Sequence, residues 1–285
     1  MSIMTIAKAG LCLTGLVAAD LALAAPSKST QAPAPIVVQG AMSSEVDTLV
    51  KQLKDAKPVT LGKWQFWQGQ LDGYPVIVSK TDIGMENASA ATALAAVTFH
   101  PIAIINQGTA GGHDPELHNY DIVLGKESIN IGSFKTPFKA RGEGTHAETW
   151  APMDLLTEEE DTSDKIVDKP MRAFPADAKL LSAAHSVSGH YMRGKVVDGI
   201  IASADVWNNE LDRIALFHEQ YGSSMEEMET AAAAQIAKGF NIPFMGVRVI
   251  TNNATNGSQF DPATSEASQL FTTDVIKAYI HTLKH

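Results

Sequence analysis

Glu45, Trp207 and Asn252 are, by type, an acid, a flat aromatic ring and an amide, and each follows a short apolar run of the chain. Those runs cover 36–39, 76–80, 101–105, 197–203 and 244–250. Their trailing segments also supply Thr81 to Gly84, Gly108 with Gly111 and Gly112, and Asp205. The chemistry on offer is proton transfer, stacking and hydrogen bonding. In an open α/β sheet the loops after the strands converge on one crevice, so these residues can meet there. The glycines after 101–105 have two readings: a tight exit from a strand, or a backbone bared for close approach to a ligand.

Several other chemistries are excluded. There is no phosphate loop of the G-x-x-x-x-G-K-[ST] kind, no G-x-G-x-x-G opening a helix and no G-x-S-x-G elbow. His113 and His118, and His185 and His190, are each five residues apart, whereas two metal ligands on one helix face need three or four; no metal and no cofactor is expected. The one cysteine, Cys12, lies near the start. A formal net charge of −10 gives no electrostatic reason to seek nucleic acid.

At the start of the chain, residues 1–24 carry one lysine, an apolar stretch and Ala22-Leu23-Ala24, the pattern of a secretory signal peptide. Cleavage after Ala24 removes Cys12, leaving a protein with no disulfide or thiolate, suited to a bacterial periplasm and with no membrane attachment. Residues 25–35, rich in Pro, Ala and Ser, read as a flexible leader. From 36 onward a strand ending at Gly40 precedes a helix over 43–56, with Ser43 or Ser44 as its cap. Asp72-Gly73 marks a hairpin between strands at 64–70 and 75–80. An alanine-rich helix at 85–98 precedes strands at 101–105 and 121–124. Residues 134–170 lack a clean period and read as an excursion or lid. Helix 174–187, strand 195–203, helices 210–217 and 225–239, strand 243–250 and helix 263–283 complete an α/β rhythm.

The segments IVVQGAMSSEV, KTDIGMENASAAT, INQGTAGGHDPELHNYDIVLG, IIASADVW and MEEMETAAAAQIAKGFNIPFMGVRVITNNA resemble, in order and spacing, the methylthioadenosine/S-adenosylhomocysteine nucleosidases of the nucleoside phosphorylase superfamily. The resemblance runs from Ile36 to about the last helix. It implies a three-layer α/β/α fold on a twisted mixed central sheet, and a catalytic domain over 36–285. It implies that Glu45 activates the attacking water, with Met42 beside it, and that Met228 and Glu229 lie under the ribose, next to Glu227. Thr81 and Gly84 fall near the ribose and the nucleophile, while Gly108, Thr109, Ala110 and Gly111 line that side. Trp207 stacks on the purine, and Arg248 precedes the loop that meets the base. A homodimer is implied, the neighbour closing the 5′ side of the pocket.

One position departs from the family. Where its members carry an Asp that protonates the purine at N7, this chain has Asn252 after Thr251. An amide can donate a hydrogen bond to N7 but not a proton, and it resembles superfamily members acting on 6-oxopurine nucleosides. Three functions stay open: a purine nucleosidase, a purine nucleoside phosphorylase, and a nucleoside-binding protein that has lost turnover. The first loop offers a carboxylate and no arginine, which disfavours phosphate.

Overall fold

The computed structural model describes residues 33–154, 156–162 and 165–284. The signal peptide over 1–24 and most of the leader lie outside the described residues. In chain order the elements are β1 (Ile36–Gly40), α1 (Ser43–Gln52), β2 (Lys54–Leu61), β3 (Trp64–Leu71), β4 (Tyr74–Lys80), α2 (Met85–Phe99), β5 (Ala103–Gly112) and β6 (Ile122–Asn130). Short strands β7 (Phe134–Lys135) and β8 (Ala151–Pro152) follow, then the hairpin β9 (Leu156–Thr162) and β10 (Lys165–Met171). The chain continues through β11 (Ala173–Pro175), α3 (Ala178–Ser188), β12 (Val196–Ser203), α4 (Leu211–Tyr221), β13 (Ser223–Glu227), α5 (Thr230–Gly239), β14 (Phe244–Asn252) and α6 (Thr264–Leu283).

The central strands β1, β5 and β14 are nearly continuous runs of buried residues, as strands covered on both faces must be. Ile36 and Val38 of β1 join one core with Leu49, Leu180, Phe271 and Val275, from α1, α3 and α6. Val37, between them, points the other way into a second core with Ala95, Ala233 and Ala237, from α2 and α5. Alternation along one strand thus fixes two helical layers with the sheet between.

The ten-stranded sheet is mixed and runs β11-β6-β12-β13-β5-β1-β4-β3-β2, with β14 pairing both β5 and β6. On one side β5 pairs β14, in parallel; on the other it pairs β1 with its first half and β13 with its last residues. The pairings β5–β14–β6–β12–β13–β5 therefore close a ring, while β1 to β4 continue as an open sheet. Where β5 leaves β1 for β13 the sheet parts, and a crevice opens.

Several sequence expectations are corrected. The helix after β1 stops at Gln52, and residues expected to extend it enter the exposed edge strand β2, whose Pro58 an edge tolerates. The helix expected over 225–239 is a strand to Glu227 and a helix from Thr230, and that expected over 174–187 begins at Ala178, after β11. The glycines of 108–112 form no turn: they lie in β5, which continues to Gly112, and none has a positive φ. The hairpin stands as expected, with Asp72 and Gly73 at φ 49° and 77° between β3 and β4.

Candidate active site

Glu45 is in the first turn of α1, and its side chain curls back to cap its own helix. Oε2 accepts from the Ala41 N–H at 2.9 Å and the Met42 N–H at 3.2 Å. Oε1 accepts from the N–H and the hydroxyl of Thr109, both at 2.9 Å. Neither Ser43 nor Ser44 caps the helix; Met42 holds that position. Gly108 is a glycine because a Cβ there would stand 2.7 Å from Glu45 Oε1. Close approach, rather than a turn, explains Gly108 and likewise Gly112, where a Cβ would stand 2.5 Å from Asn253 Nδ2.

The second carboxylate group comes from the corner between β13 and α5. Glu227 is buried and accepts from Ser203 Oγ, from the Glu229 N–H at 3.0 Å, from the Thr230 N–H and from Arg248 Nε at 3.0 Å. Burial pushes its carboxyl upward, but the Arg248 guanidinium, with Ser203 and Thr230, outweighs that and holds it below the ordinary range. Glu229 accepts from the Gly84 N–H at 3.0 Å and lies 3.5 Å from Arg248 Nη2. Burial, reinforced by the Glu227 charge and only partly opposed by Arg248, pushes it up to about 8. Gly84, at φ 105°, starts α2 with its N–H aimed at this carboxylate.

A cleft of about 960 Å³, part of it open to solvent, lies against these groups. Met42, Glu45, Thr109, Ala110 and Gly111 form one wall; Glu227, Met228 and Glu229 form another. Trp207, 66% exposed, stands at the mouth with its ring centroid 6.1 Å from that of Phe260. Asn252 ends β14 opposite Gly111, and a Cβ on Gly111 would lie 3.5 Å from its amide nitrogen. Among the described residues no arginine or lysine lines the cleft.

Four expected binding residues do not reach the cleft. Arg248 is 2% exposed and is consumed by Glu227 and by Asn106 Oδ1 at 2.6 Å. Thr81 is fully buried and donates its hydroxyl to the Asp82 carbonyl at 2.9 Å. Gly108 sits behind Glu45, and Gly84 acts through its N–H to Glu229. Glu227 reaches the wall with its acceptors already filled, so it fixes the corner that presents Met228 and Glu229 rather than offering a free carboxylate.

Three polar lining residues escaped the sequence reading of the site, His113, Asn208 and Glu226, as did apolar ones such as Ile83, Val206, Ile214 and Phe260. His113 Nε2 lies 2.9 Å from Glu226 Oε2, and its Nδ1 lies 2.6 Å from Ser223 Oγ. Asn208 Nδ2 donates to the same Oε2 at 3.2 Å. A helix over 225–239 hides this set; a strand at Ser223–Glu227 puts Glu226 opposite Gly111 of β5 and leaves Ser223, paired with β12, in reach of His113. His118, the other member of the histidine pair, has no part in it, and among the described residues no group of three or more His, Cys, Asp or Glu could hold a metal.

The family model for the phosphorylase superfamily matches residues 35–281. The 5′-methylthioadenosine/S-adenosylhomocysteine nucleosidase of Anoxybacillus flavithermus is 30% identical over 221 residues, covering 77% of this chain and 85% of that protein. The enzyme of the same name from Shewanella pealeana is 31% identical over 227 residues, covering 79% and 89%. Among solved structures, the Neisseria meningitidis nucleosidase of that name, in complex with methylthio-immucillin-A, superposes with a TM-score of 0.69 at 22% identity, covering 86% of this chain and all of that one.

Proposed function

Because the chain belongs to the phosphorylase superfamily, we propose that its cleft is the active site of a purine nucleosidase, which hydrolyses the N-ribosidic bond and frees the purine. Methylthioadenosine and S-adenosylhomocysteine, for which the relatives are named, are the substrates that follow. Breaking this bond passes through a sugar with oxocarbenium character, so the site needs a base for water, an anchor for the ribose hydroxyls and help for the departing base. Glu45 is the base, Glu229 with Met228 holds the ribose, Trp207 stacks on the purine, and Asn252 donates to its N7 edge.

The observation that carries hydrolysis over phosphorolysis is the charge of the lining. Glu45, Glu226, Glu227 and Glu229 border the cleft, and among the described residues no arginine or lysine does. With Glu229 pushed up to about 8 and Glu227 paired with Arg248, Glu45 faces the developing sugar cation, and phosphate finds no arginine or lysine partner among the described lining residues. Free base should therefore appear at the same rate with and without phosphate when the purified protein is given methylthioadenosine, S-adenosylhomocysteine, adenosine, inosine or guanosine. Glu45→Gln should lower that rate by about 10² to 10⁴. Release that strictly needs phosphate overturns the hydrolytic reading.

Export and pairing belong to the same proposal. Cleavage after Ala24 delivers the mature chain to the periplasm, and amino-terminal sequencing of the exported protein tests it. Two copies pair across the exposed apolar rim of Ile83, Val206, Trp207 and Phe260, each closing the other's 5′ side; light scattering on the mature chain tests the stoichiometry.

A further inference from the structure

A departing purine takes the electron pair of the C1′–N9 bond and needs a proton on a ring nitrogen to leave as the neutral base. Asn252 lies where that proton is wanted, and an amide has none to give. The titratable side chains lining the cleft among the described residues are Glu45, His113, Glu226, Glu227 and Glu229. Glu45 takes the proton of water, Glu227 is tied to Arg248, and Glu229 meets the Gly84 N–H on the sugar side. His113 and Glu226 remain, in contact with each other at 2.9 Å.

Their place on the sheet matches the need. Asn252 and Glu226 both pair with Gly111, Asn252 from β14 on one side of β5 and Glu226 from β13 on the other. The two flanking strands are about 10 Å apart, so a flat base seated over Gly111 has Asn252 at one edge and Glu226 at the opposite edge. Gly111 is two residues beyond Thr109, the partner of Glu45, which sets this position about 7 Å along β5 from the residue that holds the general base. His113 Nε2 and Asn208 Nδ2 both lie against Glu226 Oε2, and among the described residues no side chain or backbone N–H is bonded to Oε1.

Resting on the nucleosidase reading above, we propose that Glu226 is the proton donor to the departing purine and that His113 supplies the proton it gives. The imidazolium of His113 passes a proton to the Glu226 carboxyl, and the carboxyl hydrogen goes to a ring nitrogen on the edge facing away from Asn252. The C1′–N9 bond breaks with its pair going to the base, the water oxygen bonds C1′, and the proton of water goes to Glu45. His113 recovers its proton from solvent, and Glu45 returns one, when the products leave. The acid has moved across the base from the N7 edge to the opposite one.

The test compares methylthioadenosine with p-nitrophenyl β-ribofuranoside, whose nitrophenolate leaves without being protonated. Glu226→Gln keeps an acceptor for His113 and Asn208, so the corner stays folded, which thermal melting checks. In that variant the rate of adenine release should fall about 10² to 10⁴-fold while nitrophenolate release stays within about threefold. His113→Gln should show the same split with a smaller loss. Equal losses on both substrates, or no loss on either, overturn the proposal and leave the nucleosidase reading standing. A wild-type protein that cleaves neither substrate removes both.

Discussion

Glu45 and Gly108 are in contact behind the crevice wall: the carboxylate of the first helix lies where the side chain of any other residue at position 108 would be, 2.7 Å from Oε1 to the Cβ site. Gly108→Ala should therefore displace Glu45 from Thr109, because backbone atoms of β5 cannot retreat within a paired strand. Turnover should fall by at least tenfold, with a stability loss of about 1 to 3 kcal/mol from overpacking. Activity assays beside thermal melting check it, and full activity in the Gly108→Ala variant would show that the carboxylate has room to move.

Arg248 does its work from behind the cleft. Removing its charge, as in Arg248→Met, leaves Glu227 buried with nothing to balance it, a change that costs about 3 to 5 kcal/mol when a buried pair is broken. The loss should appear in urea denaturation. Because Glu227 also caps α5 and fixes the corner before Glu229, ribose binding should weaken in step.

Glu229 gives the stability a pH dependence of unusual sign for a carboxylate. Its folded pKa is pushed up to about 8, from an ordinary 4.5. The folded state thus binds the proton more tightly than the unfolded chain, and the contribution is fully present below about 4.5 and is lost as pH rises through about 8. Denaturation of wild type and Glu229→Gln at about pH 5 and about pH 8.5 should show the wild type losing more across that interval.

Trp207, the stacking residue of the proposed site, has two thirds of its surface facing solvent. Trp207→Ala should leave folding nearly unchanged and weaken binding of free purine by about 1 to 3 kcal/mol, the range for one stacked base. Isothermal titration with adenine measures it.

Local pattern reveals much of this architecture, and tertiary context hides the rest. The β3–β4 hairpin is readable because Asp72-Gly73 is a local turn signal, and α2 because alanines dominate it. The strand Ser223–Glu227 is not, because its five residues lead into an alanine-rich helix whose propensity spreads over them. The first residues of edge strand β2 read as helix because they extend the apolar spacing of α1. Within the site, Glu45 and Asn252 stand beside recognisable segments, whereas Arg248 and Thr81 belong to equally recognisable segments while their own side chains turn inward. His113 and Glu226 are 113 positions apart, and only the β5–β13 pairing joins them.

The ring formed by β5, β14, β6, β12 and β13 leaves its members no free margin along which to slide. One wall of the crevice is thereby anchored to a girdle that can only be distorted as a whole, while the mouth residues Val206, Trp207 and Phe260 hang on connecting segments outside it. Evolution can thus retune what enters by altering those segments without disturbing the frame that aligns the reacting groups, and sequence drift should concentrate there.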